Sequence, residues 1–330
     1  MTEQMSRRAA LVGAAAASLL PLASGSTQAA APLSGRQAPG WYRYKIGSFE
    51  VTVATDGINQ FKMADTHVLN RPLADVSAGQ VAAHYDPNMM TTPYNPIVVN
   101  TGSRLVLIDT GGGEATFKNS KGRAGQLMSN LAAAGIDANA IDTVIISHYH
   151  GDHMNGLLNA SSGLAFPNAE ILVPAAEHKF FMDDGEMSRA PAGRMQTVFK
   201  NARRVLNADV LKRIKTYDPG KELVPGITSV ETNGHSFGHN SHVVASGKDK
   251  VFVQADVTHV PHLFARNPDW HAFYDQDGPK AEATRRRVYD MLVADRMMVQ
   301  GFHYPFPGLA YVEKAGNGYR EIAVPWSPML

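Results

Sequence analysis

The stretch Ile145-Ile146-Ser147-His148-Tyr149-His150-Gly151-Asp152-His153 places four side chains with nitrogen or oxygen lone pairs within six residues. They follow an apolar run, Thr143–Ile146, that reads as a short buried strand. In extended backbone, residues two apart point to the same side, so His148 and His150 can grip one cation together. Gly151 then permits a sharp turn that lets Asp152 and His153 face a neighbouring position. One isolated histidine is ordinarily a hydrogen-bonded core or surface residue; four ligand-type groups at this density point to a metal. The chain of 330 residues has 13 histidines and no cysteine. That excludes disulfides, thiolate nucleophiles and sulfur-ligated ions, and leaves binding to nitrogen and oxygen.

Upstream, Trp41–Asp56 alternates around Gly47-Ser48 and reads as a hairpin, as do Ile97–Asn100 and Leu105–Asp109 about Thr101-Gly102-Ser103. Gly125–Ala134 carries apolar residues at helical spacing and stops at Gly135. Downstream, Ala169–Val173 predicts a strand, and Ala175–Phe181 and Met195–Leu206 predict helices. The second half repeats the style, with strands at Ile227–Thr232, His242–Ser246, Lys250–Gln254 and Met297–Gln300, a helix at Ala281–Ala294 and a last hairpin about Gly316-Asn317-Gly318. Two comparable mixed halves without a low-complexity linker predict an α+β chain of two facing sheets with helices outside. Arg285-Arg286-Arg287 fills successive positions of the last helix, so its charges are expected to fan over a solvated face.

Ser6-Arg7-Arg8, the mostly alanine run Ala9–Ala23 and the small residues Ser24–Ala31 form a signal-peptide layout whose paired arginines resemble a bacterial twin-arginine signal. The apolar run is about 15 residues against the roughly 20 that span a bilayer, so stable membrane insertion is not expected. Residues 1–31 are therefore expected to be an export signal, 32–330 the catalytic domain, and the location periplasmic or secreted. Lysine plus arginine total 31 and aspartate plus glutamate 30; removing Arg7, Arg8 and Glu3 with the signal leaves equal numbers of each sign. Such a chain has no field for gathering nucleic acid, and a small-molecule partner is expected. The oligomeric state stays open between monomer and homodimer.

His148, His150, Asp152 and His153 together meet a His-x-His-x-Asp-His pattern, and here the chain resembles the metallo-β-lactamase superfamily. Leu107-Ile108-Asp109-Thr110-Gly111 resembles its early strand-end motif, and Gly234-His235-Ser236-Phe237-Gly238-His239 its Gly-His-x-x-Gly-His motif. Within the superfamily the chain is most similar to the methyl parathion hydrolase group, through Trp41-Tyr42-Arg43-Tyr44, Asn100-Thr101-Gly102-Ser103, Leu223-Val224-Pro225-Gly226-Ile227 and Gly301-Phe302-His303-Tyr304-Pro305-Phe306-Pro307-Gly308. The resemblance implies a four-layer αβ/βα sandwich. It also implies two divalent ions: one held by His148, His150, His235 and Asp256, the other by Asp152, His153, His303 and the same Asp256. Asp109 would act in support below them, and His239 beside them. Zn²⁺ is the first choice of metal, with Mn²⁺, Co²⁺ and Fe²⁺ compatible with the same ligands.

The implied activity is hydrolysis of neutral esters, whether lactone, carboxyl or aryl ester or organophosphate triester, by a metal-bridging hydroxide, with Asp152 and Asp256 as catalytic carboxylates. A β-lactamase and a non-catalytic periplasmic metal-binding protein are the alternatives. Phe181, Phe199 and Phe306 are expected to wall the pocket, His259 and His262 are candidates for it, and no arginine or lysine clamp for an anion is evident.

Overall fold

The computed structural model describes residues 33–330 other than Arg36; the expected signal segment lies outside them. The chain divides into Met1–Ala38 and Pro39–Leu330, and the second unit carries the fold. The strands are β1 (Trp41–Ile46), β2 (Phe49–Ala54), β3 (Gly57–Lys62), β4 (Met89–Tyr94), β5 (Ile97–Asn100), β6 (Leu105–Ile108), β7 (Thr143–Ile145), β8 (Glu170–Pro174) and β9 (Ile214–Tyr217). They continue with β10 (Glu222–Val224), β11 (Ile227–Glu231), β12 (Asn240–Ser246), β13 (Asp249–Ala255), β14 (Met298–Gly301), β15 (Leu309–Ala315) and β16 (Gly318–Ala323). One seven-stranded sheet runs β1-β2-β5-β6-β7-β8-β9, the other β10 to β16 in order, and β3-β4 form a separate antiparallel pair. Both large sheets are mixed: β6 to β9 run parallel, and β13 pairs β14 in parallel.

The layering follows from the two-residue period of a strand, which sends neighbours to opposite faces. Val99, Val106 and Ile145 of the first sheet meet Val244, Val251 and Val253 of the second in one apolar layer. Their chain neighbours Val98, Leu107 and Val144 point outward, to a layer with Leu131, Phe181, Phe199 and Val205 from the helices Leu127–Ala133, Ala175–Met182 and Arg194–Val205. Phe252 and Val299 likewise face Val288, Tyr289 and Leu292 of the helix Gly278–Asp295. Both strand faces are covered, giving helix, sheet, sheet, helix as expected.

Two features depart from the sequence reading. The β3-β4 pair and the helix Leu73–Ala82 that joins its strands were not anticipated, because β3 reads Gly-Ile-Asn-Gln-Phe-Lys and the helix buries only Val76 and Gln80. The arginine run also differs: Arg287 is exposed as expected and Arg286 partly so, but Arg285 is fully buried and donates to the carbonyls of Val257, Pro268 and Trp270. A guanidinium enters a core when fixed acceptors surround it, and here loops distant in sequence supply them.

Asp56, buried just past β2, ties the first sheet to the following loops. Its Oδ2 accepts from the amides of Gly112 (2.8 Å) and Gly125 (3.2 Å), and its Oδ1 from Leu127 (2.8 Å) at the start of a helix. Asp56→Ala strands these buried donors, and at about 1–3 kcal/mol for an unsatisfied group a loss of roughly 3 kcal/mol is expected in urea unfolding. A change below about 0.5 kcal/mol would show that the loops re-pair without it.

Candidate metal centre

β7 ends at Ile145, the chain bends at Ser147, and His150 is extended (φ −72°, ψ 150°) where a helical turn begins at Gly151–Met154. His148 and His150 point the same way, and the turn swings Asp152 and His153 to an adjoining position. The other sheet approaches from its own strand ends. His235 precedes β12, Asp256 follows β13 after Ala255 in a left-handed conformation (φ 48°), and His303 follows β14. The loop carrying His235 lies so close to the helix Ala175–Met182 that a Cβ on Gly238 would sit 2.2 Å from the Glu177 nitrogen.

Two adjoining groups of ligand atoms gather there, each within 4.8 Å: His148, His150, His235 and Asp256, and beside them Asp152, His153 and His303; a third, His259 and Asp275 with the same His235, overlaps the first. In the first, His150 Nδ1 lies 2.9 Å from His148 Nε2 and 2.7 Å from His235 Nε2, and His235 Nε2 is 3.2 Å from Asp256 Oδ2. In the second, Asp256 Oδ1 is 3.1 Å from His153 Nε2 and 3.2 Å from His303 Nε2, which stands 3.5 Å from Asp152 Oδ2. One carboxylate thus faces both groups. The structure brings together every residue named above as a ligand.

Outer partners fix how each imidazole is presented. Asp109 Oδ2 accepts from His153 Nδ1 at 2.7 Å, Asp275 Oδ1 from His235 Nδ1 at 2.8 Å, and the Pro93 carbonyl from His303 Nδ1 at 2.8 Å. In each case Nε2 is left to face inward, the arrangement that orients histidines on metals. His239 stands outside the cluster, its Nε2 accepting from the Asp256 amide at 3.0 Å. Glu177, which the sequence did not reveal, joins the two loops by accepting from the amides of Tyr149 (2.9 Å) and Gly238 (2.7 Å). Burial pushes its carboxyl up to about 7 against the pull of those amides.

The charge pattern suits cations. Burial lowers His148 and His150 well below the usual imidazole range and brings His235 to about 3, so their lone pairs are free at neutral pH. Burial alone would raise Asp256, but His153, His303, His235 and His259 outweigh it and hold its carboxyl well below the carboxylate range. Asp256 Oδ1 and His153 Nε2 are buried without a hydrogen-bond partner. Against desolvation, Asp256, Asp109 and Asp152 hold the His153 imidazole well above its usual range, and a divalent ion between these atoms would supply the same positive charge while taking both as ligands.

The centre opens on a cleft of about 410 Å³. Its walls correct the expected pocket. Phe181 and Phe199 are fully buried in the helical layer, 4.9 Å apart between ring centres, and Phe181 packs on Tyr149. Phe306 is 43% exposed and lies outside the cleft lining, which instead takes Phe61, Tyr94, Phe273 and Tyr274. Of the histidine candidates, His259 lines the cleft, with Nε2 3.2 Å from Asp256 Oδ2, whereas His262 is engaged by Gln80 at 2.6 Å. Arg123 and Arg194 also line it, two cationic side chains that the sequence did not reveal there.

This fold, with two adjoining clusters joined by one carboxylate at the strand ends, defines a dinuclear metal-dependent hydrolase. Residues 91–296 match the family model of the metallo-beta-lactamase superfamily, and the chain belongs to that superfamily. It is similar to AidC, a dizinc quorum-quenching lactonase, with 25% identity over 87% of this chain and 98% of that one and a TM-score of 0.80. Hydrolase AbOPH is similar at 26% identity over 88% of this chain and 100% of that one, also with a TM-score of 0.80. A curated relative, the atrochrysone carboxyl ACP thioesterase of Passalora fulva, is 40% identical over 63 residues, 19% of this chain and only 16% of its own length. Among the described residues no helix is long and apolar enough to cross a membrane.

Proposed function

We propose that His148, His150, His235 and Asp256 hold one divalent ion and Asp152, His153, His303 and Asp256 the other, with Zn²⁺ the first choice, for hydrolysis of lactones, carboxyl or aryl esters and phosphotriesters. The observation that carries this is Asp256, whose two oxygens face the two groups at 3.2 Å and 3.1 Å. Lactonase, hydrolase and thioesterase relatives support an ester-type substrate, and the resemblance of several sequence stretches to the methyl parathion hydrolase group favours that branch.

Two such ions supply a water-derived nucleophile at neutral pH and a Lewis acid for the substrate oxygen. The chain's own residues do the rest. Asp256 sets the separation of the two groups, and Asp109, Asp275 and the Pro93 carbonyl hold the imidazoles in place. Asp152, with its side chain 27% exposed toward the cleft, is placed to take the proton of the attacking water and pass it to the leaving group. Phe61, Tyr94, Phe273 and Tyr274 shed water from the substrate.

Elemental analysis is expected to find two ions per chain, and chelation to abolish turnover of a chromogenic aryl ester until metal is restored. A fully active preparation holding one ion per chain would overturn the dinuclear assignment.

A further inference from the structure

Arg194 opens the helix Arg194–Val205 and lines the cleft together with His150, Asp152, Asp256 and His303. Its guanidinium carbon lies 5.9 Å from the centre of the Phe273 ring. Among the described residues no carboxylate lies within 4.0 Å of it, and its side-chain hydrogen bond is from Nη2 to His150 Nε2, at 3.1 Å. That bond requires a lone pair on His150 Nε2 and hence the ring proton on Nδ1. Nδ1, however, is the atom that converges with His148 Nε2 and His235 Nε2. A metal taken by Nδ1 leaves the proton on Nε2, and an N–H cannot accept from a guanidinium. Loading the centre therefore frees the Arg194 fork inside a partly apolar cleft without a protein carboxylate to receive it.

We propose that Arg194 recognises a carboxylate carried by the substrate, so that the preferred substrates are esters or lactones whose acyl part bears a second, ionised carboxyl group. The planar fork matches a carboxylate with two parallel hydrogen bonds, which an ammonium cannot reproduce. Arg123, which also lines the cleft and among the described residues has no carboxylate within 4.0 Å, adds to the same positive field. The ester bond hydrolysed is the neutral one already assigned to the metal centre, so the inference rests on the hydrolase reading while concerning a different part of the substrate.

The test pairs 4-nitrophenyl half-esters of succinate, glutarate and adipate with 4-nitrophenyl butanoate, pentanoate and hexanoate on the metal-loaded protein. A hydrogen bond to a charged group is worth about 10- to 100-fold. At least one half-ester should exceed its neutral partner in kcat/KM by that factor. Arg194→Gln should remove the preference, and Arg194→Lys should restore only part of it. Calorimetry gives a readout apart from turnover: glutarate should bind wild type at least about tenfold more tightly than pentanoate, and Arg194→Gln should equalise them. Neutral esters hydrolysed as fast as half-esters, with glutarate and pentanoate bound equally, overturn the proposal and leave the hydrolase reading standing. No ester hydrolysed while glutarate still binds preferentially overturns the hydrolase reading and keeps the carboxylate site. If Arg194→Gln does not fold, the wild-type ratios and Arg194→Lys decide. A larger gain for 4-nitrophenyl phosphate than for any half-ester overturns the assignment to carboxylate.

Discussion

Asp256→Ala is expected to lower kcat/KM on an aryl ester by roughly 10³-fold or more, several kcal/mol of lost transition-state stabilisation, and to leave fewer than two ions per chain. The carboxylate is 3% exposed and faces imidazoles of both groups. Removing it takes the shared acceptor from two cations and leaves the surrounding histidines without a counter-charge. Asp256→Asn keeps the shape but replaces one facing oxygen by an amide donor, so it should lose activity nearly as far while unfolding as wild type does. Asp249→Ala, at the exposed start of β13, is the control and should stay within about 0.5 kcal/mol of wild type in stability. Kinetics and elemental analysis on the three proteins provide the check. Equal losses at Asp249 and Asp256 would show that the chemistry lies elsewhere.

Arg285→Ala should produce the largest loss of stability, about 3–5 kcal/mol, the usual cost of breaking a buried ion pair by removing one partner. It strands the carbonyls of Val257, Pro268 and Trp270, contacted at 3.1, 2.7 and 3.1 Å, and leaves Asp275 without the guanidinium 3.4 Å away. Asp275 is itself the group that orients His235, so the damage should reach metal retention. Arg286→Ala removes a partly exposed pair with Glu282 and should cost no more than about 1 kcal/mol. Urea unfolding of the two variants separates these outcomes, and equal midpoints would mean that solvent replaces the buried contacts of Arg285.

What the sequence disclosed at the site, it disclosed because the chemistry is local. His148 and His150 share a side because extended backbone alternates, and His153 follows after one turn of helix; neither relation needs the rest of the molecule. His235, Asp256 and His303 came from motif resemblance, and their convergence with the first four rests on the second sheet facing the first. The strands were legible for a similar reason: Val98, Val99, Val106 and Leu107 are apolar on both faces, as strands covered on both sides must be. The cleft walls were not legible. Phe61 and Tyr94 come from the β3-β4 pair, whose strands carry Asn59, Gln60 and Pro93, and Phe273 and Tyr274 from a loop without periodicity. Resemblance placed Phe181 and Phe199 in the pocket, but burial sends them to the helical layer, behind Tyr149. Arg285 was misread because nothing in three consecutive arginines tells which one meets three carbonyls from distant loops.

The candidate ligands hang from both halves of the molecule: His148, His150, Asp152 and His153 from the end of β7, and His235, Asp256 and His303 from the ends of the second sheet. Ions held there act as rivets through the sandwich, and riveting is reciprocal. The free energy by which bound ions would hold the layers together equals the free energy by which closure of the layers would strengthen ion binding. A volume change deep in the interlayer core, at Val51 or Val244, would then surface first as faster loss of metal to a chelator, while turnover at saturating metal still looked normal. The supply of ions, as much as the apolar core, would set how long each folded molecule survives.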